Sequence, residues 1–237
     1  MKAQIPWLRV FVEGVVIVGS ILLAFGIEAW WEGRQQRTEV TEILGGLHVE
    51  FSRIADGLQS RRERWDSMAT EIGVLLAASE ANYDLPLEQS RTSLAALIYP
   101  STFDPGSGVR DALVASGRLE LIDGVDLRNS LVAWEGVLRE VQDNEIAMRD
   151  FILNQLSPYL AAHGALVGVS PTGRVRWRGA TEANELAAYR AILRDPEFFG
   201  LVSVRYSWLD LTVDEYEAAS EFVADIVRLV SEELARD

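Results

Sequence analysis

The chain has no cysteine, so disulfides, thiolate metal sites, iron–sulfur clusters and cysteine nucleophiles are excluded together. It has two histidines, His48 and His163, far apart in sequence and outside any HExxH spacing. A zinc or di-iron site draws on closely spaced His and carboxylate ligands, so no metal site is expected. Lys2 is the only lysine beside 21 arginines, a usage that reads as genome composition. Positive charge is scarce overall: the net charge is -14 over 237 residues. A nucleic-acid-binding surface needs a basic footprint, so nucleic acid is not an expected partner. Neither GxxxxGK nor GxGxxG occurs, so no nucleotide fingerprint is present.

One long apolar run is present, Val10 to Trp31 (VFVEGVVIVGSILLAFGIEAWW). Its 22 residues hold two charges, Glu13 and Glu28, each near an end. Length alone leaves open a membrane span, a cleaved leader and a buried soluble helix. The tryptophans decide for a retained span. Trp7 precedes the run and Trp30 and Trp31 close it, and Trp7 to Trp30 covers roughly 35 Å of helix. That is a hydrocarbon core plus part of both interfaces, where Trp is enriched. Trp7, Arg9, Glu13, Trp30 and Trp31 are therefore the expected interface anchors, with Arg9 and Glu13 one turn apart and able to pair. Gly19, Ser20, Leu23, Ala24 and Gly26 give the run a small face, which lets another membrane helix approach closely.

Basic residues flank the run almost evenly, with Lys2 and Arg9 before it and Arg34 and Arg37 after it. The orientation expected is N-terminus in the cytoplasm and the domain outside the cytoplasmic membrane. The organisation follows: a flank over 1–9, a transmembrane helix over 10–31 and an extramembrane domain over 32–237.

Beyond the run, apolar residues recur at 3-4 spacing through Leu44, Leu47, Phe51, Ile54, Leu58, Trp65, Met68, Ile72 and Leu75, interrupted by Arg61. The span and this seam form one stalk, with Gly33 and Gly45 as places for a break. A loop at 81–86, a helix over 87–99, a turn over 100–108 and a helix over 109–116 capped by Gly117 follow. The next seam is Leu127, Leu131, Trp134, Leu138, Val141, Glu145, Met148 and Ile152, begun by Asp126 and ended or kinked at Pro158. Thr181 caps a further helix. Asp195-Pro196 makes a corner into a last one, with the seam expected along Val202, Tyr206, Leu209, Val213, Tyr216, Ser220, Val223, Val227, Val230 and Leu234. Residues 166–179 alternate about a Pro-Thr-Gly turn and predict a short β-hairpin. Arg174, Arg176 and Arg178 would share one face of it, a docking patch for carboxylates or phosphates. The fold class is all-α: one N-terminal transmembrane helix continuing into an antiparallel bundle.

Two stretches carry a resemblance. Ile21 to Glu32 (ILLAFGIEAWWE), with Glu13 before it, resembles the anchor of an uncharacterised bacterial family of single-span membrane proteins through Ile27, Trp30 and Glu32. Gly26, Glu28 and Ala29 depart from the family's Gln, Asn and Asn. Thr102 to Leu131 is similar to the family's midsection at Phe103, Pro105, Leu113, Ser116, Gly117, Leu119, Leu121, Ile122, Leu127 and Arg128. The resemblance implies a bacterial single-span membrane protein and carries no activity.

The remaining chemistry is sparse. The turn Asp104 to Gly108 enters a helix N-terminus and would suit an anion, and Ser107 lacks the GxSxG context of a nucleophile. No catalytic residue and no cofactor are expected. The expected role is a non-enzymatic accessory subunit of a larger membrane complex, held by the bilayer and by other membrane subunits. The alternatives are a self-associating signalling stalk, paired as a homo-oligomer through the seam, and an enzyme with an acidic cleft.

Overall fold

The computed structural model describes residues 7–100, 102–106, 108–166, 169 and 181–236, the side chains of 7–10 and 12–17 excepted. One helix, α1 (Trp7–Glu80), runs unbroken for 74 residues, about 110 Å. It is followed by α2 (Leu87–Leu97), α3 (Gly108–Ala115), a 3₁₀ turn (Arg118–Leu121), α4 (Val125–Phe151), a π turn (Ile152–Leu156), α5 (Ser157–Ala162), α6 (Glu182–Leu193) and α7 (Pro196–Leu234). Among the described residues there is no strand. The expected hairpin arms, and with them Arg174, Arg176 and Arg178, lie outside the described residues.

The core is an α1–α4–α7 bundle. Ser79 Oγ donates to Leu193 O just before α7 starts, and Arg62 meets Glu217 at 3.4 Å midway, so α1 and α7 are antiparallel. Gly124 N donates to Glu233 at the far end of α7, and Asn144 donates to Glu215, so α4 and α7 are antiparallel as well. The α1 seam is buried at Leu44, Leu47, Phe51, Ile54, Leu58, Trp65, Met68, Ile72 and Leu75, as its periodicity demands. The α4 seam is buried at Leu127, Leu131, Trp134, Val141, Glu145, Met148 and Ile152.

Three expectations change. The α7 seam is Val202, Arg205, Leu209, Thr212, Tyr216, Ala219, Val223, Ile226, Val230 and Glu233. Half of its positions lie one residue earlier than expected: Arg205, Thr212, Ala219, Ile226 and Glu233 stand where Tyr206, Val213, Ser220, Val227 and Leu234 were expected. Tyr206 is instead 38% exposed. The helix also passes through Pro158. The π turn just before it re-spaces the backbone bonds at the point where proline has no N–H to give. At the start of α4 the cap position is Gly124, with Asp126 inside the first turn.

Gly117 follows the end of α3 as expected, and Gly164 follows the end of α5 in the same way. Gly117 and Gly164 both hold φ of 69°, in the left-handed region that costs glycine nothing. Gly33 and Gly45 do not break α1.

Carboxylates from the long helices close the ends of shorter ones. Glu50 of α1, 7% exposed, accepts from Val109 N (2.6 Å) and Arg110 N (3.2 Å) at the start of α3. The helix N-terminus after the Asp104–Gly108 turn is thus filled by the chain's own anion. Asp195 accepts from Glu197 N (2.9 Å), and Thr181 accepts from Asn184 N (3.2 Å). Arg91 on α2 grips Glu185 on α6 with two bonds of 2.7 Å, and Tyr189 OH adds a third to that carboxylate.

Candidate functional site

The part of the molecule without a structural explanation inside the bundle is the N-terminal section of α1. From Val18 to Glu32 every residue is exposed. Leu22, Leu23, Phe25, Ile27, Trp30 and Trp31 each show 58–66% of their surface. Leaving this many large apolar side chains in water forgoes burial free energy on the order of 10 kcal/mol. Scattered exposed apolar residues are ordinary, but a contiguous cylinder of them marks contact with a non-aqueous or protein environment.

The small face is here too. Gly19, Ser20, Leu23, Ala24 and Gly26 are all exposed, and a Cβ added at Gly19, Gly26 or Gly33 would meet nothing within 4 Å. No element of the described chain lies over them. Phe11 is 69% exposed, while the side chains of Trp7, Arg9 and Glu13 lie outside the described set.

Among the described residues no helix is long and apolar enough to cross a membrane. The run expected to do so is only partly described. With side chains 12–17 excepted, its apolar remainder from Val18 to Ile27 spans about 15 Å, half of a hydrocarbon core of about 30 Å.

Toward the bundle the same helix changes character. Trp30 and Trp31 give way to Arg34, Gln35, Thr38, Glu39 and Glu42, and Val40 and Leu44 begin the packed seam. Glu39 pairs with Arg118 of the 3₁₀ turn, the first ion pair that ties the projecting helix to the domain among the described residues.

The bundle interior holds charges that the sequence only half disclosed. Glu145, 1% exposed, accepts from Phe103 N and, at 2.6 Å, from Tyr216 OH. Burial pushes its carboxyl above the ordinary glutamate value, against the opposing pull of those two donors and of Arg61. Arg205 is fully buried, and among the described residues no carboxylate pairs with it. Its Nε donates to Leu97 O (3.2 Å), its Nη1 to Met148 Sδ (2.6 Å), and its Nη2 finds no acceptor. The guanidinium lies 5.8 Å from the Trp65 ring centre, and burial pulls its pKa down to about 10. Trp65 in turn stands edge-on to Tyr216.

This polar spine is buried inside the bundle and braces it. Arg61, the one break in the α1 seam, lies 5.3 Å over the Phe103 ring. His163 stacks on Tyr159 at 4.1 Å beside Asp195. Among the described residues no three His, Asp or Glu side chains gather as a metal site.

Comparison with protein-family models, with curated proteins and with solved structures returned no match.

Proposed function

We propose that this protein is a non-enzymatic accessory subunit of a larger membrane complex. The N-terminal part of α1 anchors it in the cytoplasmic membrane, and the bundle braces or caps its host. The observation that carries the reading is the unbroken passage of α1 from an apolar, wholly exposed cylinder into the packed core of the domain. A helix of this kind joins bilayer and bundle through one continuous element. The tryptophans at its domain-side end stand where an interface would lie. The open face of Gly19, Ser20, Leu23, Ala24 and Gly26 supports packing against a helix of the host. In this reading the N-terminus is cytoplasmic and the bundle is on the outer side.

The buried polar spine supports a bracing role. A signalling stalk that pairs through the α1 seam loses its surface, since Leu47 and Leu58 are both 0% exposed within one chain.

The test is affinity isolation of the full chain from native membranes in mild detergent. Native gel and mass spectrometry then read the size and composition of what comes with it. A defined large assembly with stoichiometric partners is expected. Recovery as a lone monomer refutes the reading.

A further inference from the structure

The seam that α1 buries in the bundle continues below the bundle. Counted back from Leu44 and Val40 at 3-4 spacing, the same register meets Arg37, Gly33, Trp30, Gly26, Leu23 and Gly19. Higher up, the chain covers the seam itself. Phe51 meets Trp134 of α4 at 5.9 Å between ring centres, and Trp65 meets Tyr216 of α7 at 6.4 Å. Among the described residues Val40 is the first seam residue packed on the core. Below it the line is bare: Leu23 and Trp30 show 66% and 59% of their surface, and a Cβ at Gly19, Gly26 or Gly33 would meet nothing within 4 Å. The bare line thus continues an interface that α4 and α7 fill above, and a helix laid along it stands beneath them.

Its composition sets the manner of packing. Gly19, Gly26 and Gly33 recur every seven residues. That spacing stays on one side of two helices crossing at about 20° in the left-handed sense. Each glycine lets the neighbouring backbone come close, and Leu23 and Trp30 project between them. Arg37 closes the line. It is exposed, its Nε donates to Gly33 O at 3.3 Å, and no carboxylate pairs with it among the described residues. Its other N–H groups suit the open carbonyls at a helix C-terminus.

A second copy of this chain does not fit the line. Two copies in one membrane run parallel, so pairing through it sets bundle against bundle. At Leu44, about 27 Å beyond Gly26, two helices crossing at about 20° have drawn apart by only about 9 Å, less than one helix diameter. Each copy's own α4 and α7 already take that side of α1.

We propose that this line docks one transmembrane helix of a different chain, parallel to α1, with its C-terminal end at Arg37 beneath the bundle. The inference rests on the membrane-anchor reading above and specifies the partner that reading needs.

The experiment places a diazirine analogue of leucine at Leu23, or at Ile21 about 160° round the helix from it, in the full chain in native membranes. Adducts formed on illumination are identified by peptide mass spectrometry. Leu23 is expected to label an apolar transmembrane segment of one other protein, running from cytoplasm to outside as α1 does. Ile21 is expected to label lipid. Gly26→Ile fits its own chain, since nothing lies within 4 Å of that Cβ. It is expected to lower the Leu23 adduct about tenfold by overfilling the contact, while Ile21→Phe leaves it unchanged.

A Leu23 adduct with a second copy of this chain, or with lipid alone, overturns the inference. So does an equal yield from Ile21, or an adduct that survives Gly26→Ile. A labelled segment of the opposite direction overturns the placement at Arg37. Alkaline carbonate extraction separates the docking line from the anchor. A chain that stays in the membrane pellet without the Leu23 adduct keeps the anchor and loses the line, and a chain released by carbonate loses both. A host assembly isolated intact with Gly26→Ile keeps the accessory role, held by the bundle, and loses the line.

Discussion

Replacing Glu145 by glutamine tests the polar spine. The carboxylate is an acceptor on both oxygens, and its two donors, Phe103 N and Tyr216 OH, sit on residues 4% and 0% exposed. Glutamine keeps the shape but supplies one carbonyl oxygen and one NH2. The amide oxygen can accept from Phe103 N while the NH2 donates to the Tyr216 hydroxyl oxygen, and the hydroxyl proton is then left without its acceptor, which costs about 1–3 kcal/mol. Removing the buried charge returns part of this, so the net loss expected at neutral pH is about 1–2 kcal/mol. For a domain of this size that lowers Tm by about 2–8 °C.

The pH dependence has a definite sign. Burial holds the folded carboxyl above the ordinary value of 4.5, so the unfolded chain releases this proton more readily. The stability contributed by Glu145 is therefore fully present below about pH 4.5 and is lost as pH rises through the folded value. Glutamine does not titrate. The gap between wild type and Glu145→Gln should widen as pH falls from 7.5 toward 5. Urea unfolding of both full-length proteins in mild detergent, followed by circular dichroism across that range, reads the gap. A constant gap, or one that narrows with acid, refutes a desolvated carboxylate at this place.

Arg205→Met should raise stability by about 1 kcal/mol, because a buried cation with no counterion is replaced by an apolar chain of similar length; a lower urea midpoint refutes this. Glu50→Gln should cost about 1 kcal/mol through loss of the anion at the start of α3, and hydrogen exchange at Val109 and Arg110 should accelerate while the α4 core stays protected. The chain has no native cysteine, so single variants Leu47→Cys and Leu58→Cys report cleanly. Neither should cross-link between chains in native membranes, and an efficient disulfide dimer at either position would return the seam to a homo-oligomer interface.

Much of the bundle was legible because its longest helices obey one rule. Apolar side chains at 3-4 spacing in α1 and α4 can be buried only along one stripe, and they are. The same rule failed halfway along α7. There, each heptad offers two neighbouring candidates, and the apolar or aromatic one is not always inside. Tyr206 keeps its hydroxyl wet by staying at the surface, whereas Arg205 is drawn in to bond Leu97 O and Met148 Sδ. Periodicity carries no information about a backbone carbonyl that waits for a donor. Glu145 was legible as a misfit on an apolar stripe, but its partners lie 42 and 71 residues away, and only the fold brings them together. Glu50 gave no such sign, since a glutamate on a helix is ordinary until α3 begins against it.

The glycines of α1 bear most directly on the proposed role. Gly33, Gly45 and Gly46 each weaken a helix by about 1 kcal/mol relative to alanine, and an isolated helix would tend to open there. Their effect is offset where α1 is held on its flank. Gly46 lies against α3, where a Cβ would come within 3.3 Å of Val109, so close packing explains its small size. Gly45 and Gly33 face open space, and no contact within the chain requires glycine at either position. Gly33 lies six residues before Glu39, whose pair with Arg118 ties the helix to the domain. A glycine at that height permits a bend between anchor and bundle while the Glu39–Arg118 pair restrains it. In an accessory subunit, the bundle then has a small angular freedom to seat on its host.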